Sequence, residues 1–480
     1  MSYRKFTKDM AIIALVQLFY ALEGIIILPI ITKLMGAENY GAWTQLQVTI
    51  TLAIPLITLG LPYTLVRFLA GEKENNEIQD GFWSSMVFIS AISLVSFIIL
   101  NIFSEPLSGF FGQGKLFIQL LAFIILFSCL NELLFNMFRA FQQIKRYALF
   151  FIFQTSLEIG LISLALFLTH NLLSAIIAML AARIMAFSIM VFLIVKKIGF
   201  TIPRFSRIKE HLAFGLPTIP INLSFWIVQS SNRYLIGIFM GTLYVGYYNP
   251  SSMISSSLSL LIAPLSFVLP ATLSKLYDEK KIENVKIYLS YSLKYFLMLG
   301  IPSVVGLSVL SQPLLKTFST PEIADHSYRI LPLLACGILF CGIYTIFSQT
   351  IMLKKKTNIM GVIWVITAFL NFGLNLILIP AIGLLGAAIA NFTAYALVLV
   401  LICYYSFKNI TFPIDWKSIL KSILASIAMA FIVYQMNVKD LKMIFVATIV
   451  GSIVYGILIF LFKGFNEREV SFLKGTFGKS

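Results

Sequence analysis

The chain alternates long apolar stretches with short polar connections along its whole length. Each stretch has roughly 20 residues or more, the length that an α-helix needs to cross a bilayer. The stretches are continuously apolar and lack the period of two expected of barrel strands. The pattern therefore predicts an all-α polytopic membrane protein with about 14 transmembrane helices, at residues 9–33, 42–67, 82–103, 116–138, 147–169, 172–195, 212–239, 247–273, 287–312, 329–352, 357–380, 384–406, 418–437 and 441–462.

The composition supports the same class. Hydrophobic residues make up 59% of the 480 residues and charged residues 12%, which is too little charge to cover the surface of a soluble protein of this size. The first stretch follows Arg4, Lys5 and Lys8, as a signal sequence would. It is longer than a signal sequence and has no small-residue cleavage site near its end, so we expect a retained first helix.

Lysine and arginine residues are distributed unevenly over alternate connections. Of the 36 basic residues, 27 lie on one side and six on the other. Because basic residues accumulate on the cytoplasmic side, both termini and the connection at 196–211 are predicted to be cytoplasmic, and the connections 104–115 and 313–328 external. This topology and contact with anionic membrane lipids explain the net charge of +16. We expect no nucleic-acid partner.

Two segments of the chain resemble each other at a constant spacing. Gly36 and Gly41 precede an aromatic residue, Gly241 and Gly246 do the same, and the two pairs are 205 residues apart. The basic inner ends of spans four and ten, near Arg139 and Gln349, match at an offset of 210. Six spans separate the matching segments, so the two halves have the same orientation, as in a parallel repeat.

The repeat divides the chain into three parts. We predict an N-terminal six-helix lobe at 1–200, a second six-helix lobe at 207–408, and an additional two-helix hairpin with a cytoplasmic tail at 409–480. Two lobes of like orientation indicate a cleft between them, and alternating access by rocking of one lobe against the other.

The first spans carry short motifs of a known family. These are Leu28-Pro29, the turn at 36–43, the sequence 59–62 (Leu-Gly-Leu-Pro) and Arg67. They resemble the start of the prokaryotic polysaccharide exporters, which include the O-antigen and lipid-linked oligosaccharide flippases. This family belongs to the superfamily of MATE-like multidrug, oligosaccharidyl-lipid and polysaccharide exporters. The arrangement of six, six and two spans extends the resemblance over the whole chain.

The resemblance implies a V-shaped, two-lobed protein of the prokaryotic cytoplasmic (inner) membrane. It implies a flippase rather than an enzyme. The substrate would be an undecaprenyl-pyrophosphate-linked oligosaccharide, such as an O-antigen or another surface polysaccharide repeat unit, moved from the inner to the outer leaflet beside polysaccharide polymerase machinery. Family members often have an acidic residue before the arginine near the end of span seven. Here Asn232 precedes Arg233, a departure from that pattern, so an ion pair or ion coupling at this position is not carried over from the family.

Several ionisable residues fall inside the predicted spans, and each is a functional candidate because a charge at the centre of a helix costs about 2.5–3.5 kcal/mol on insertion scales. Glu158 and Arg183 lie at equal depth on either side of the turn near 170–171, so we expect them to pair. The pair would either hold spans five and six together or form a gate exposed to the cavity. Glu23 stands alone in span one and is the preferred ion-coupling candidate, since a desolvated carboxyl group can carry a proton.

Span four carries a stripe of polar residues. Glu132, Asn136, Arg139 and Gln143 recur at helical spacing, which predicts that one face of this span lines water or a neighbouring lobe. Arg139 also fits a simple topology charge at the inner end of the span.

Span seven and span nine offer further cations. Arg233 has no evident partner in the sequence, and its guanidinium group can bind phosphate oxygens bidentately or extend to the outer headgroups. Lys294 is flanked by Tyr291 and Tyr295, which suits a glycan beside a charged headgroup or an interfacial aromatic belt. The candidate substrate-binding residues are Arg233, Lys294, Arg183, Arg139, Asn232 and Gln229, and the ion-coupling candidates are Glu23, Glu158 and Glu132.

Two other functions compete with the flippase. A MATE-type ion-coupled multidrug or cation exporter would hold its substrate with acidic residues, whereas three cations lie inside these spans. A membrane enzyme would carry catalytic residues on long outer loops, but 104–115 and 313–328 hold ordinary residues and a single histidine. We therefore expect no catalytic residues, no metal site and no cofactor. The four cysteines lie in apolar spans and are expected to act as small buried hydrophobic residues.

Overall fold

The structure is a computed structural model that describes residues 3–69, 71–72 and 74–464. The predicted cytoplasmic tail at 465–480 and the side chains of Arg4, Lys5 and Lys8 lie outside the described residues.

The described chain is built from α-helices. Its order is α1 (Tyr3–Thr58), α2 (Leu61–Leu69), α3 (Asn75–Ile102), α4 (Ser104–Phe111), α5 (Lys115–Ala140), α6 (Ile144–Thr169), α7 (Leu172–Ile198), α8 (Ile208–Gly215), α9 (Thr218–Met240), α10 (Thr242–Ser256), α11 (Ser259–Asp278), α12 (Ile282–Val309), α13 (Ser311–Phe318), α14 (Pro321–Ser327), α15 (Leu331–Leu353), α16 (Thr357–Ile382), α17 (Leu384–Asn409), α18 (Trp416–Gln435) and α19 (Leu441–Leu461).

Thirteen helical segments of the described residues are long and apolar enough to cross a membrane. The first of them is broken at Gly36, where φ is 78° and ψ is 179°, so it supplies two of the predicted spans. The prediction of an all-α, multi-pass membrane protein with about 14 spans is confirmed.

Two predicted spans are interrupted. Span two was expected to run unbroken over 42–67, but α1 ends at Thr58 and the chain turns through Leu59 (φ 50°) and Gly60 (φ 74°) before α2. Span eight, expected at 247–273, divides between α10 and α11. The hydropathy pattern does not register the first break, because Leu59 and Gly60 are themselves apolar or glycine.

By packing, the chain forms two compact units. The first comprises Met1–Asn249 with Asn375–Gly383, and the second Pro250–Leu374 with Leu384–Ser480. This grouping reflects local contacts and does not test the lobes at 1–200 and 207–408 or the hairpin at 409–480, which stay predictions.

The first unit is organised around α5. This helix packs against α1, α2, α3 and α7, and 61% of its most apolar window is buried, the highest share among the described spans. A polar residue on α5 therefore meets other helices or an internal cavity rather than lipid.

The connection that follows α7 is bonded to the start of α3. The carboxylate of Asp80 accepts hydrogen bonds from the backbone N–H groups of Arg204 and Ser206, at 2.6 and 3.2 Å, and from the hydroxyl of Ser206. Arg207 forms ion pairs with Glu72 and Glu77 at 3.5 and 3.2 Å. The connection therefore has a fixed position on the first unit.

Two glycines of the predicted repeat pack against each other. A Cβ atom on Gly41 would clash with the carbonyl oxygen of Thr242, and a Cβ atom on Gly246 would clash with the carbonyl oxygen of Ala37. The contact is reciprocal at the 205-residue offset found in the sequence. Gly241, the counterpart of Gly36, also has nearly the same backbone torsions, φ 92° and ψ 170°. These features support a local two-fold repeat at this point.

The second unit joins the C-terminal hairpin to α12. The hydroxyl of Tyr455 on α19 donates to the carbonyl oxygen of Met298 at 2.6 Å and lies 2.8 Å from the hydroxyl of Ser422 on α18. Around this bond, apolar residues of the three helices form a buried cluster that includes Met429 and Val433.

We predict that Gly41→Ala and Gly246→Ala each destabilise the protein. The added methyl group meets backbone rather than a movable side chain, so the two helices must separate, at a cost of about 1–3 kcal/mol or more. Thermal unfolding in detergent, followed by fluorescence-detected size-exclusion chromatography, measures the effect.

Gly160→Ala and Gly456→Ala are the matched controls. Both glycines are helical, and outside the backbone of their own helix turn no atom lies within 4 Å of the position that an added methyl group would take. Alanine should be neutral there or stabilising by about 0.5–1 kcal/mol. Equal melting of Gly41→Ala and Gly160→Ala would contradict the close helix contact.

Candidate functional site

The first unit contains a cavity of about 400 Å³. Its wall combines the end of α1 and the start of α2, one face of α5, and the start of α9. The polar part of the wall includes Glu132, Asn136, Arg139, Thr218 and Asn222, and the rest is Ile54, Pro55, Thr58, Gly60, Pro62, Tyr63, Ile219 and Ile221.

Three residues of the predicted stripe on α5 form one hydrogen-bonded chain in this wall. The side-chain amide of Asn136 donates to Glu132 Oε1 at 2.7 Å, and Arg139 Nη1 donates to Asn136 Oδ1 at 2.9 Å. Asn136 is buried, while Arg139 is exposed. The fourth residue, Gln143, accepts a bond from Arg146 at 3.1 Å instead. The arrangement presents a guanidinium group to the cavity and joins it through an amide to a carboxylate.

The predicted pairing of Glu158 with Arg183 is confirmed. Arg183 Nε lies 3.2 Å from Glu158 Oε1, and the two side chains are only 11% and 4% exposed. Gln154 donates a second bond to Glu158 Oε1 at 2.8 Å, and Arg183 also donates to the hydroxyl of Ser128. The pair joins α6 to α7, whereas its role in transport stays a prediction.

Glu23 lies close to this pair. Helix α1 packs against α6, and the Glu23 carboxyl group interacts electrostatically with both Glu158 and Arg183. The structure thus brings together two acidic residues and one basic residue inside the membrane-spanning part of the first unit. The sequence indicated the Glu158–Arg183 pair but gave no sign that Glu23 joins it.

Arg233 takes part in a network near the Gly41–Gly246 contact. Its Nε donates to Asn249 Oδ1 and its Nη1 to the carbonyl oxygen of Gln229, both at 2.8 Å. Asn249 in turn donates to the hydroxyl of Tyr40 at 2.8 Å. The guanidinium group is half-buried, and contact of Arg233 with substrate stays a prediction.

Asn232 points to a different set of polar groups. Its amide donates to the hydroxyl of Tyr248 at 3.0 Å, and its Oδ1 accepts from the amide of Asn375 at 2.8 Å. Asn232 is buried, so in this structure it is bonded within the protein. The position before Arg233 thus holds an amide that both donates and accepts.

Lys294 has an ion-pair partner that the sequence did not reveal. Its ammonium group lies 3.5 Å from Asp415 Oδ2, and the lysine side chain is 3% exposed. Tyr291 and Tyr295 stack on each other and are exposed, whereas the lysine is buried. Partial burial of the Asp415 carboxyl group alone would raise its pKa. Hydrogen bonds from Ser418 and the charge of Lys294 outweigh this effect and lower the pKa below its ordinary value. The carboxyl group of Asp415 is therefore ionised at neutral pH.

Several residues of these networks were missed in the sequence. Thr218, Asn222 and Asn249 lie on segments whose hydropathy is unremarkable, and Asp415 lies just outside a span. Only the helical stripe on α5 gave a periodic signal. Within the described residues no group of three or more His, Cys, Asp or Glu side chains is placed to hold a metal ion.

Comparison with known proteins identifies the family. Residues 6–275, more than half of the chain, match the family described as Polysaccharide biosynthesis protein, and residues 217–377 match the MatE family. A probable low-salt glycan biosynthesis flippase, Agl15, of Haloferax volcanii is 24% identical over 90% of this chain and 91% of its own length. The lipid II flippase MurJ of Thermosipho africanus is 32% identical, over 39% of this chain and 38% of its own length.

Solved structures share the fold. A lipid II flippase MurJ in an inward closed conformation superposes with a TM-score of 0.76 at 20% identity, covering 94% of this chain and 98% of its own. An inward-facing MATE multidrug transporter gives a TM-score of 0.68 at 14% identity, covering 82% and 95%. The chain therefore belongs to the Polysaccharide biosynthesis protein family, whose fold is that of the MATE-like membrane transporters.

Proposed function

We propose that this protein is a flippase for a lipid-linked glycan. The substrate is an undecaprenyl-pyrophosphate-linked oligosaccharide, such as an O-antigen or another surface polysaccharide repeat unit. It moves from the inner to the outer leaflet of the cytoplasmic membrane by alternating access. The observation that carries the proposal is the cavity of the first unit, where an exposed Arg139 stands beside polar hydrogen-bonding groups.

The chemistry of the cavity suits this substrate. A pyrophosphate must lose water to cross the membrane, and a guanidinium group can replace that water with bidentate hydrogen bonds. Amide, hydroxyl and carboxylate groups in the same wall can bond sugar hydroxyls. The similarity to Agl15 and MurJ, which are named as flippases, supports the same assignment.

The alternative is a MATE-type ion-coupled exporter of drugs or other cations. The match of residues 217–377 to the MatE family favours it. The cavity argues against it, because its one carboxylate, Glu132, is already bonded to Asn136, and the exposed charge at the cavity is positive. Complementation of a strain deleted for its own flippase, with surface glycan as readout, separates the two. Drug transport in proteoliposomes without rescue of glycan would favour the exporter.

We predict that Arg139→Ala lowers glycan export strongly at normal protein abundance, and that Arg139→Lys retains part of it. Loss of a hydrogen bond to a charged group costs about 1.5–3 kcal/mol, or roughly ten- to hundredfold in affinity. Surface glycan in the complementation strain is the measurement. Arg146→Ala is the control, because Arg146 bonds Gln143 outside the cavity wall. Normal export by Arg139→Ala would remove this residue from the substrate site.

The cluster of Glu23, Glu158 and Arg183 is our proposed ion-coupling site. Glu23 is the carboxyl group that would exchange a proton, because Glu158 is held by Arg183 and Gln154. Protonation of Glu23 removes one of the two negative charges near Arg183. In this proposal, the protonation state of Glu23 is therefore linked to the packing of α1 against α6 and α7.

We predict that Arg183→Ala destabilises the protein by about 3–5 kcal/mol, because Glu158 is left as an unpaired buried charge. The double variant Glu158→Gln/Arg183→Gln should recover part of the loss. A double-mutant cycle built from Glu158→Gln, Arg183→Gln and this double variant measures the coupling by thermal stability in detergent. Strictly additive losses would show that the two side chains do not stabilise each other.

The proposed direction of transport requires that the 196–211 connection is cytoplasmic. In a variant whose native cysteines are replaced, we expect Phe205→Cys to react with an impermeant maleimide only after the membrane is opened, and Lys115→Cys to react in intact cells. Both side chains are exposed in the structure. The reverse pattern of labelling would invert the topology.

A further inference from the structure

In the hydrogen-bonded chain on α5, the side-chain amide of Asn136 uses both its donor and its acceptor. Asn136 donates from Nδ2 to Glu132 Oε1, and also to the carbonyl oxygen of Glu132 at 2.9 Å, while its Oδ1 accepts from Arg139. Asn136 is 4% exposed, so its amide has little access to solvent. Glu132 and Arg139 are seven residues apart, about 10.5 Å along the helix, and the amide lies between them.

The guanidinium group of Arg139 fixes the orientation of the amide. A guanidinium group only donates hydrogen bonds, so it can bond only to the oxygen of the amide, which leaves the NH₂ group for Glu132. With the amide reversed, its NH₂ group would face the guanidinium group, donor against donor, and the bond to Arg139 would be lost. The observed order is therefore the stable one, and it keeps an acceptor directed at Arg139.

We propose that Asn136 is a positioning residue that, held by Glu132, orients the guanidinium group of Arg139 toward the phosphate groups of the substrate. The inference rests on the proposed function of the cavity. Among the described side chains, Asn136 is the only one that accepts a hydrogen bond from Arg139. One of the five N–H groups is used for positioning, and the others can meet an anion. Holding a long side chain in one rotamer reduces the entropy lost on binding.

The test compares binding of undecaprenyl pyrophosphate with binding of undecaprenol, which has the same tail and no phosphate. The readout is the phosphate preference, defined as the dissociation constant of undecaprenol divided by that of undecaprenyl pyrophosphate, both measured on purified protein in detergent. This ratio reports the phosphate contact alone. A residue that only stabilises the fold would change both constants together. We expect Asn136→Leu to reduce the ratio about five- to tenfold, and Arg139→Ala to reduce it at least as much.

The decisive variant is the combination Asn136→Leu/Arg139→Ala. If Asn136 acts through Arg139, Asn136→Leu has no further effect on the ratio once Arg139 is alanine. Glu132→Gln supplies a second variant that keeps the shape of the side chain. Because a glutamine can turn an NH₂ group as well as an oxygen toward the Asn136 amide, it anchors that amide less strictly, and we expect an intermediate loss of phosphate preference. Gln143→Ala, on the same stripe but outside the cavity wall, is the control and should keep the wild-type ratio.

The outcomes distinguish this inference from the proposed function. An unchanged ratio in Asn136→Leu overturns the positioning role. If Asn136→Leu does not fold, an unchanged ratio in Glu132→Gln overturns it instead. In either case Arg139 keeps its proposed phosphate contact if Arg139→Ala loses the phosphate preference. Additive losses in the double variant would make Asn136 a direct contact instead. A wild-type ratio in Arg139→Ala removes both the phosphate contact and the positioning role.

Discussion

The cost of placing a charge in a low-dielectric interior governs the polar architecture of this protein. A charge that leaves water must be paired and hydrogen-bonded within the protein. Two buried cations are paired in this way, Arg183 with a carboxylate of the first unit and Lys294 with a carboxylate of the second. Arg139 is bonded through an amide, as Arg233 is, but its side chain is exposed and lines a cavity. This exposure is the reason for proposing Arg139 as the cation that meets the substrate.

The glycine contacts address a second constraint of a membrane interior. Between helices in lipid the hydrophobic effect contributes little, so association depends on close packing of backbones. Gly41 and Gly246 supply that packing on one side of the first unit. Gly60 and Gly215 supply it elsewhere, since a Cβ atom on Gly60 would lie 2.7 Å from the carbonyl oxygen of Gly215. In both places two segments of the chain come close enough for backbone atoms to meet.

The sequence predicted correctly those features whose residues lie on one helix, or on two helices joined by a short turn. The spans, the break at Gly36, the stripe on α5 and the Glu158–Arg183 pair all follow from helical geometry over short separations. It failed where partners are distant in the chain. Asp415 begins a different helix from that of Lys294, and no periodicity links them. The break at Leu59 was missed for another reason, because its residues are as apolar as the helix around them.

The connection between α7 and α8 is more than a flexible linker, which would only limit how far apart two elements can move. In the structure it is bonded to the start of α3 through Asp80, and Arg207 bridges Glu72 and Glu77 immediately before α8 begins. The seventh span thus takes its starting position from the second and third spans rather than from the length of the connection. If the chain were divided into two polypeptides after Arg207, the connection would remain folded on the first fragment, and the second would have to find a docking site already formed.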